Sequence, residues 1–190
     1  KNRDGQSLSA HHYGANVSIQ KGKFSFGPGY EILSGNNTVS PDGKDHRFDP
    51  LYGTPHKHWG YMDYFYVGTG APAGGLGNAF FKTKYVANPN LYFTFDIHNF
   101  ALANDMKNGL DAAGGKIIRQ LGNEFDFIIN YNLNKFTNVE LGYCYLQGSN
   151  SLEYAKLGTM DKAKHSANWA YLMLNIRPDF FYTKPVAIKQ

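Results

Sequence analysis

The 190-residue sequence predicts an all-β fold, an antiparallel sheet of about seven long strands. Three observations carry this prediction. Apolar and polar residues alternate with period two in separate runs of roughly ten residues. Gly (21 residues), Tyr and Phe (14 each) are abundant, whereas charged residues make up only 18%. The segments joining the runs alternate in length, short then long, along the chain. Alternation marks strands because successive side chains of an extended backbone point to opposite faces. The composition agrees, since aromatic residues suit a pleated surface and Gly suits turns. The mean hydropathy is negative and no apolar run approaches the ~20 residues of a membrane helix, which excludes a helical membrane protein. A barrel that spans the membrane with strands is not excluded, because only alternate residues of its strands meet lipid.

In order, residues 13–19 set Tyr13, Ala15, Val17 and Ile19 against Gly14, Asn16 and Ser18, and Lys21-Gly22 predicts a tight turn. The next run sets Phe24, Phe26, Tyr30 and Ile32 against Lys23, Ser25, Gly29 and Glu31. A long polar segment covers residues 34–75. Strand character resumes near Asn78, with Phe81 and Tyr85 opposed by Lys82 and Lys84, and Asn88-Pro89-Asn90 predicts a turn. Leu91, Phe93, Phe95 and Ile97 then oppose Tyr92, Thr94, Asp96 and His98. After residues 102–121, Phe125, Phe127, Ile129 and Tyr131 oppose Glu124, Asp126, Ile128 and Asn130. A short turn at 133–136 leads to Val139, Leu141, Tyr143 and Tyr145, opposed by Asn138, Glu140, Gly142 and Cys144. Residues 148–165 form a third long segment with a short helix near 152–157. The last run opposes Ala170, Leu172, Leu174 and Ile176 to Trp169, Tyr171, Met173, Asn175 and Arg177.

A soluble sandwich has no reason to alternate loop lengths strictly. An outer-membrane barrel has one: its periplasmic turns are short and its outer loops long. Strands of this length match what a tilted bilayer crossing needs. Residues 1–190 are therefore expected to be an outer-membrane β-barrel segment, with 34–75 a long extracellular or in-folded loop and 178–190 a periplasmic C-terminal tail. Lys1 to Ala10 is polar and does not read as a signal peptide. An odd strand count with the first strand entering from outside predicts that the chain is the C-terminal part of a larger barrel, whose rings are even-numbered in single-chain bacterial members. Phe125, Phe127, Ile129, Leu172, Leu174 and Ile176 are expected to face lipid, and Lys82, Lys84, Asp96, Glu124, Asp126, Glu140 and Arg177 the lumen, where charged rings select by sign. The alternative is a soluble barrel with the faces reversed.

Residues 29–35, GYEILSG, and 48–66, FDPLYGTPHKHWGYMDYFY, together with 121–149, LGNEFDFIINYNLNKFTNVELGYCYLQGS, and the run WAYLMLNIRP at 169–178, carry a likeness to a known group. From about Gly29 to Arg177 the chain resembles the C-terminal part of the alginate-export family of outer-membrane β-barrels. The resemblance implies a single-chain barrel on the order of eighteen strands. Named members export a polyanionic polysaccharide through a lumen lined with arginine and lysine. Here Asp96, Glu124, Asp126 and Glu140 outnumber Lys82, Lys84 and Arg177, which departs from what a polyanion needs. The expected function is a porin-like channel for passive passage of a polysaccharide or small solute, in the outer membrane of a Gram-negative envelope. The alternative is a plugged barrel serving as a structural or interaction subunit. Expected partners are outer-membrane lipid and lipopolysaccharide, the solute, and other envelope proteins.

The 48–66 stretch is expected to fold over or into the barrel mouth, placing His56, His58, Trp59 and Asp63 there. His56, His58 and Asp63 offer a zinc-like set but lack a firm fourth ligand, so hydrogen bonding is their expected role. Asp42, Asp45 and Asp49 are a loop calcium candidate, although Asp-Gly-Lys-Asp is not the EF-hand order; no other cofactor is expected. No G-x-S-x-G elbow is present, and Glu124, Asp126 and Glu140 read as a lumen charge ladder rather than a glycosidase pair, so no enzyme is expected. The single Cys144 cannot form an internal disulfide. Scattered Lys and Arg with a net charge of +4 give no nucleic-acid footprint.

Overall fold

A computed structural model describes residues 4–50, 58–65 and 70–181. It contains one antiparallel sheet: β1 (His12–Asn16), β2 (Ile19–Lys21), β3 (Phe24–Leu33), β4 (Leu76–Asn88), β5 (Leu91–Ala101), β6 (Gln120–Asn134), β7 (Thr137–Gly148) and β8 (Ser166–Ile176), with a helix, α1 (Asn150–Leu157), before the last strand. Each strand pairs with its sequence neighbour, in the order β1-β3-β4-β5-β6-β7-β8, with β2 also on β3. Among the described residues β1 and β8 are the sheet's outer strands and do not pair with each other, so the sheet is open.

The sequence pattern predicts seven strands, and the structure has eight segments in seven sheet positions. β1 and β2 are one strand interrupted, because His12 opposite Leu33 and Ile19 opposite Phe26 lie in a single unbroken register along β3. Pro28 causes the interruption. The Val17 N–H donates to its carbonyl at 3.0 Å, but a proline has no N–H to return. The Val17 carbonyl instead lies over Gly27, where an added Cβ would come within 1.7 Å of it, so only glycine fits there.

The short turns fall at Gly22-Lys23, Pro89-Asn90 and Lys135-Phe136, and the first lies one residue later than expected. Two use the same device: the Asn88 side chain accepts from the Asn90 N–H at 2.9 Å, and that of Asn134 from the Phe136 N–H at 2.8 Å. Such turns let an asparagine close the chain with its own side chain. The long connections lie at the opposite end of the sheet. There α1 begins at Ser149, whose hydroxyl accepts from the Leu152 N–H at 3.2 Å and donates to the Gln120 carbonyl at 2.7 Å. It ends at Gly158 in the left-handed region. A buried apolar cluster forms at this end, from Leu33, Leu76, Phe100, Leu102, Ile117, Leu121, Leu146 and Leu152 of the sheet, connections and α1, plus Trp59 and Phe65 of the segment 58–65.

Register places opposite residues on one face, and the two faces differ sharply. Lys82, Asp96, Asp126, Cys144 and Trp169 form one row, and Phe80, His98, Glu124, Leu146 and Ala167 the next. This is the polar face. The other carries Phe81, Phe93, Phe95, Ile97, Phe125, Phe127, Ile129, Leu141, Tyr143, Leu172, Leu174 and Ile176. Its residues are uncovered: Leu172 is 73% exposed, Leu174 58% and Tyr143 50%. The two alternating sets expected from the sequence therefore do lie on opposite faces. The core does not lie between two layers of sheet; it sits on the polar face, at the end with the long connections.

Candidate functional site

Segment 58–65 crosses the polar face as a strap. Its backbone is bonded to two carboxylates of β6: the Tyr61 N–H donates to Asp126 Oδ2 at 3.2 Å, and the Met62 N–H to Glu124 Oε1 at 2.8 Å. Gly60 makes this approach possible. Its φ is +85°, and an added Cβ would stand 2.3 Å from the Glu124 carboxylate. Trp59 and Asp63 flank it with φ of +60° and +54°, conformations that non-glycine residues adopt at a cost. The strap is anchored by apolar burial: Trp59 and Phe65 enter the core cluster, and Phe65 packs on Phe100 with ring centroids 4.7 Å apart. From α1, Lys156 reaches over the Phe65 ring and donates to the Gly70 carbonyl at 2.7 Å.

Beneath the strap lies a buried polar group. Glu124, Asp126, His98 and Asn78 are at most 1% exposed. Asn78 Oδ1 is 3.0 Å from His98 Nδ1, and the other ring nitrogen is 3.8 Å from Asp126 Oδ2. Lys82 Nζ lies 3.4 Å from Asp96 Oδ2 in the adjoining row. Lys84 stands over the Tyr92 ring at 3.9 Å. The Tyr61 phenol lies within electrostatic range of Asp96, Glu140, Asp126 and Tyr92, which links the strap to the face below it.

Nearer the short turns, Glu140 is held on both oxygens. Asn130 Nδ2 donates to one at 2.5 Å and the Tyr171 hydroxyl to the other at 2.7 Å. Asn138 donates to Asn130 and also to Asn132 Oδ1, the latter at 2.9 Å. Arg177 and Asn175 stand at the edge of this network.

Of the residues expected at the lumen, Lys82, Lys84, Asp96, Glu124, Asp126 and Glu140 share the polar face, and Arg177 follows β8 at its short-turn end. They do not form one uniform ladder. Glu124 and Asp126 are sealed under the strap, whereas Glu140 belongs to a separate amide network. Of the mouth residues, Trp59 is a core anchor, His58 Nδ1 is 3.8 Å from Glu31 Oε1, and Asp63 lies on the strap; His56 lies outside the described residues. In the calcium candidate, Asp42 pairs with His46 at 2.9 Å and Asp45 with Arg47 through both oxygens at 2.9 Å, and Asp49 joins neither pair. Among the described residues no group of three or more His, Cys, Asp or Glu side chains is placed to hold a metal ion. Sequence reasoning did not single out Gly60, Asn78, Asn130 or Tyr171. The signal of Asn78, Asn130 and Tyr171, a place in the polar alternation, is shared with every other residue of that face, and Gly60 lies in no strand at all.

No family model, curated protein or solved structure matches the chain.

Proposed function

We propose that this chain forms part of an outer-membrane β-barrel channel of the alginate-export type, with the apolar face toward lipid and the polar face toward the lumen. The observation that carries the reading is the uncovered apolar face. From Leu91 to Ile97 the band runs about 20 Å along β5, and β3 to β8, each of ten residues or more, reach the ~9–11-residue length that a tilted strand needs to cross a bilayer. The band stops at a polar pair, Asn99 Nδ2 donating to Asn123 Oδ1 at 2.8 Å. A monomeric soluble protein rarely exposes a contiguous apolar patch of more than a few hundred Å². In lipid the same face is favourable, and the strands satisfy one another's backbone groups once the ring closes. The long connections then lie outside and the short turns in the periplasm.

In this reading the strap narrows the lumen and passage is passive. The solute is a polysaccharide or a small solute, and the acidic share of the polar face disfavours a polyanion. A second reading has its own support: the strap is anchored by Trp59 and Phe65 and bonded to two carboxylates, as a permanent plug would be. The barrel would then act as a structural subunit of an envelope assembly. Planar-bilayer conductance with a salt gradient decides. Discrete, cation-leaning conductance supports the channel. A folded, inserted protein that conducts nothing sinks the channel and leaves the plugged subunit.

A further inference from the structure

The connection between β7 and β8 builds a pocket against the strap. Residues four apart on a helix share a face, so Leu152 and Lys156 form one stripe of α1, and Glu153 and Leu157 the next. Both stripes line a pocket of about 480 Å³, within the size range of small-molecule sites. Its walls are mainly apolar: Met62 and Tyr64 of the strap, Leu146 of β7, Leu152 and Leu157 of α1, and Ala167 of β8. Another wall is the loop after α1, which Glu153 folds back on the helix. The Glu153 carboxylate accepts from the Thr159 hydroxyl at 2.7 Å and the Lys162 N–H at 3.1 Å, and lies 3.7 Å from His165 Nε2.

Charge decides what such a pocket takes. Glu153 and His165 are committed to each other and to the loop. The ionic side chains left on the walls are Lys156 and Lys164 against Asp63, a balance of one positive charge. That suits a monoanion and disfavours a cation or a polyanion. Lys164 is exposed, whereas Lys156 is half-buried over the Phe65 ring. The Gly70 carbonyl that accepts from Lys156 at 2.7 Å is a neutral partner. Burial pushes the Lys156 amine down to about 8, because an apolar surround disfavours its charged form, and an anion beside it would favour that form again. A carboxylate with an apolar body meets both demands. Its body takes water from the leucine and methionine walls, and its head makes a charge-assisted hydrogen bond with the ammonium.

We infer that this pocket binds a small monocarboxylate with a compact apolar body, its head on Lys156 and its body against Met62, Leu146 and Leu152. The inference goes beyond passage of a solute, because α1, the strap, β7 and the start of β8 form these walls whether or not the barrel conducts. The probe is 2-naphthoate, with 2-naphthalenemethanol as the same body without the charge. The full chain is folded into lipid nanodiscs with its methionine methyl groups labelled for NMR, and empty nanodiscs serve as the blank. Met62 lines the pocket, while Met173 lies on β8 opposite Glu140, so the two methyl signals separate binding here from binding elsewhere. The expected result is a saturable shift of Met62 with Met173 unmoved, and an affinity about 10-fold tighter for the carboxylate than for the alcohol. Lys156→Met should abolish that preference. Should this variant fail to fold, Lys164→Glu, at an exposed position, should weaken naphthoate and leave the alcohol unchanged. Equal affinity for the two probes, or no saturable Met62 shift in protein with a native far-UV spectrum, overturns the inference. Binding by a protein that conducts nothing would sink the channel reading and keep this one.

Discussion

Gly60 permits the strap to reach the carboxylates of β6. Its backbone is left-handed and its missing Cβ leaves room for Glu124. Gly60→Ala would cost about 1–2 kcal/mol for the backbone alone, and the clash with the carboxylate adds to that. The expected outcome is a displaced strap, seen as new protease cleavage near residue 60 and a larger single-channel current; unchanged cleavage and current would show that the strap does not narrow the lumen. A second residue-scale prediction concerns His46, in the long connection after β3. The hydrogen bonds His46 donates, first to Asp42 and then to the Ser9 carbonyl, raise its pKa above 6.5, against the smaller opposing effects of burial and of Lys44. The same contact with His46 lowers Asp42 below 3.8. A raised histidine stabilises fully below its unfolded value and loses that contribution as pH rises through the folded value; a lowered carboxylate loses its own as pH falls through the folded value. The pairing should thus be strongest between about pH 3.8 and 6.5 and loosen above. NMR titration of His46 should give a midpoint above 6.5, and Asp42→Asn should return it toward that figure.

At the scale of elements, β8 tests which face meets lipid. Leu172 lies on the apolar face and is 73% exposed, while Met173 beside it lies on the polar face. Leu172→Arg should cost about 2–4 kcal/mol near the bilayer midplane, measured by urea unfolding from vesicles, whereas Met173→Arg should cost far less. Equal tolerance of both would reverse or remove the lipid assignment. α1 depends on its ends: Ser149 caps one and also holds the start of β6 through the Gln120 carbonyl. Ser149→Ala should cost about 1 kcal/mol, read as a lower thermal midpoint with the sheet's spectrum retained. The interruption between β1 and β2 has an equally local cause, the missing N–H of Pro28, which is why one expected strand appears as two segments in one register.

Across the whole molecule the two faces and two ends set the function proposed. The apolar face should make the protein insoluble without detergent and stable with it; extraction by salt or carbonate alone would favour a soluble barrel instead. Charge along the polar face divides into parts. Glu124 and Asp126 are engaged by the strap, Asp96 by Lys82, and Glu140 by Asn130 and Tyr171. Few carboxylates are therefore left to face a moving ion, so cation selectivity should be modest and should rise when Gly60→Ala frees the β6 pair.

The strands and their faces were legible in the sequence because an extended backbone projects side chains with a strict period of two, so Phe125, Phe127 and Ile129 separate from Glu124, Asp126 and Asn130 without any knowledge of neighbours. The short turns were legible from Gly22, Pro89 and the asparagines beside them. The sequence by itself thus determined the order of strands, the two faces and the contrast between short and long connections. Only the tertiary structure decided what the long segment does. Whether residues 58–65 stand above the sheet or lie along it depends on contacts between Tyr61, Met62 and carboxylates more than sixty positions away. The same holds for the division of the acidic residues into a pair under the strap and a separate amide network. Cross-strand neighbours are set by register, and a polar residue's partners follow from that register rather than from its own local pattern.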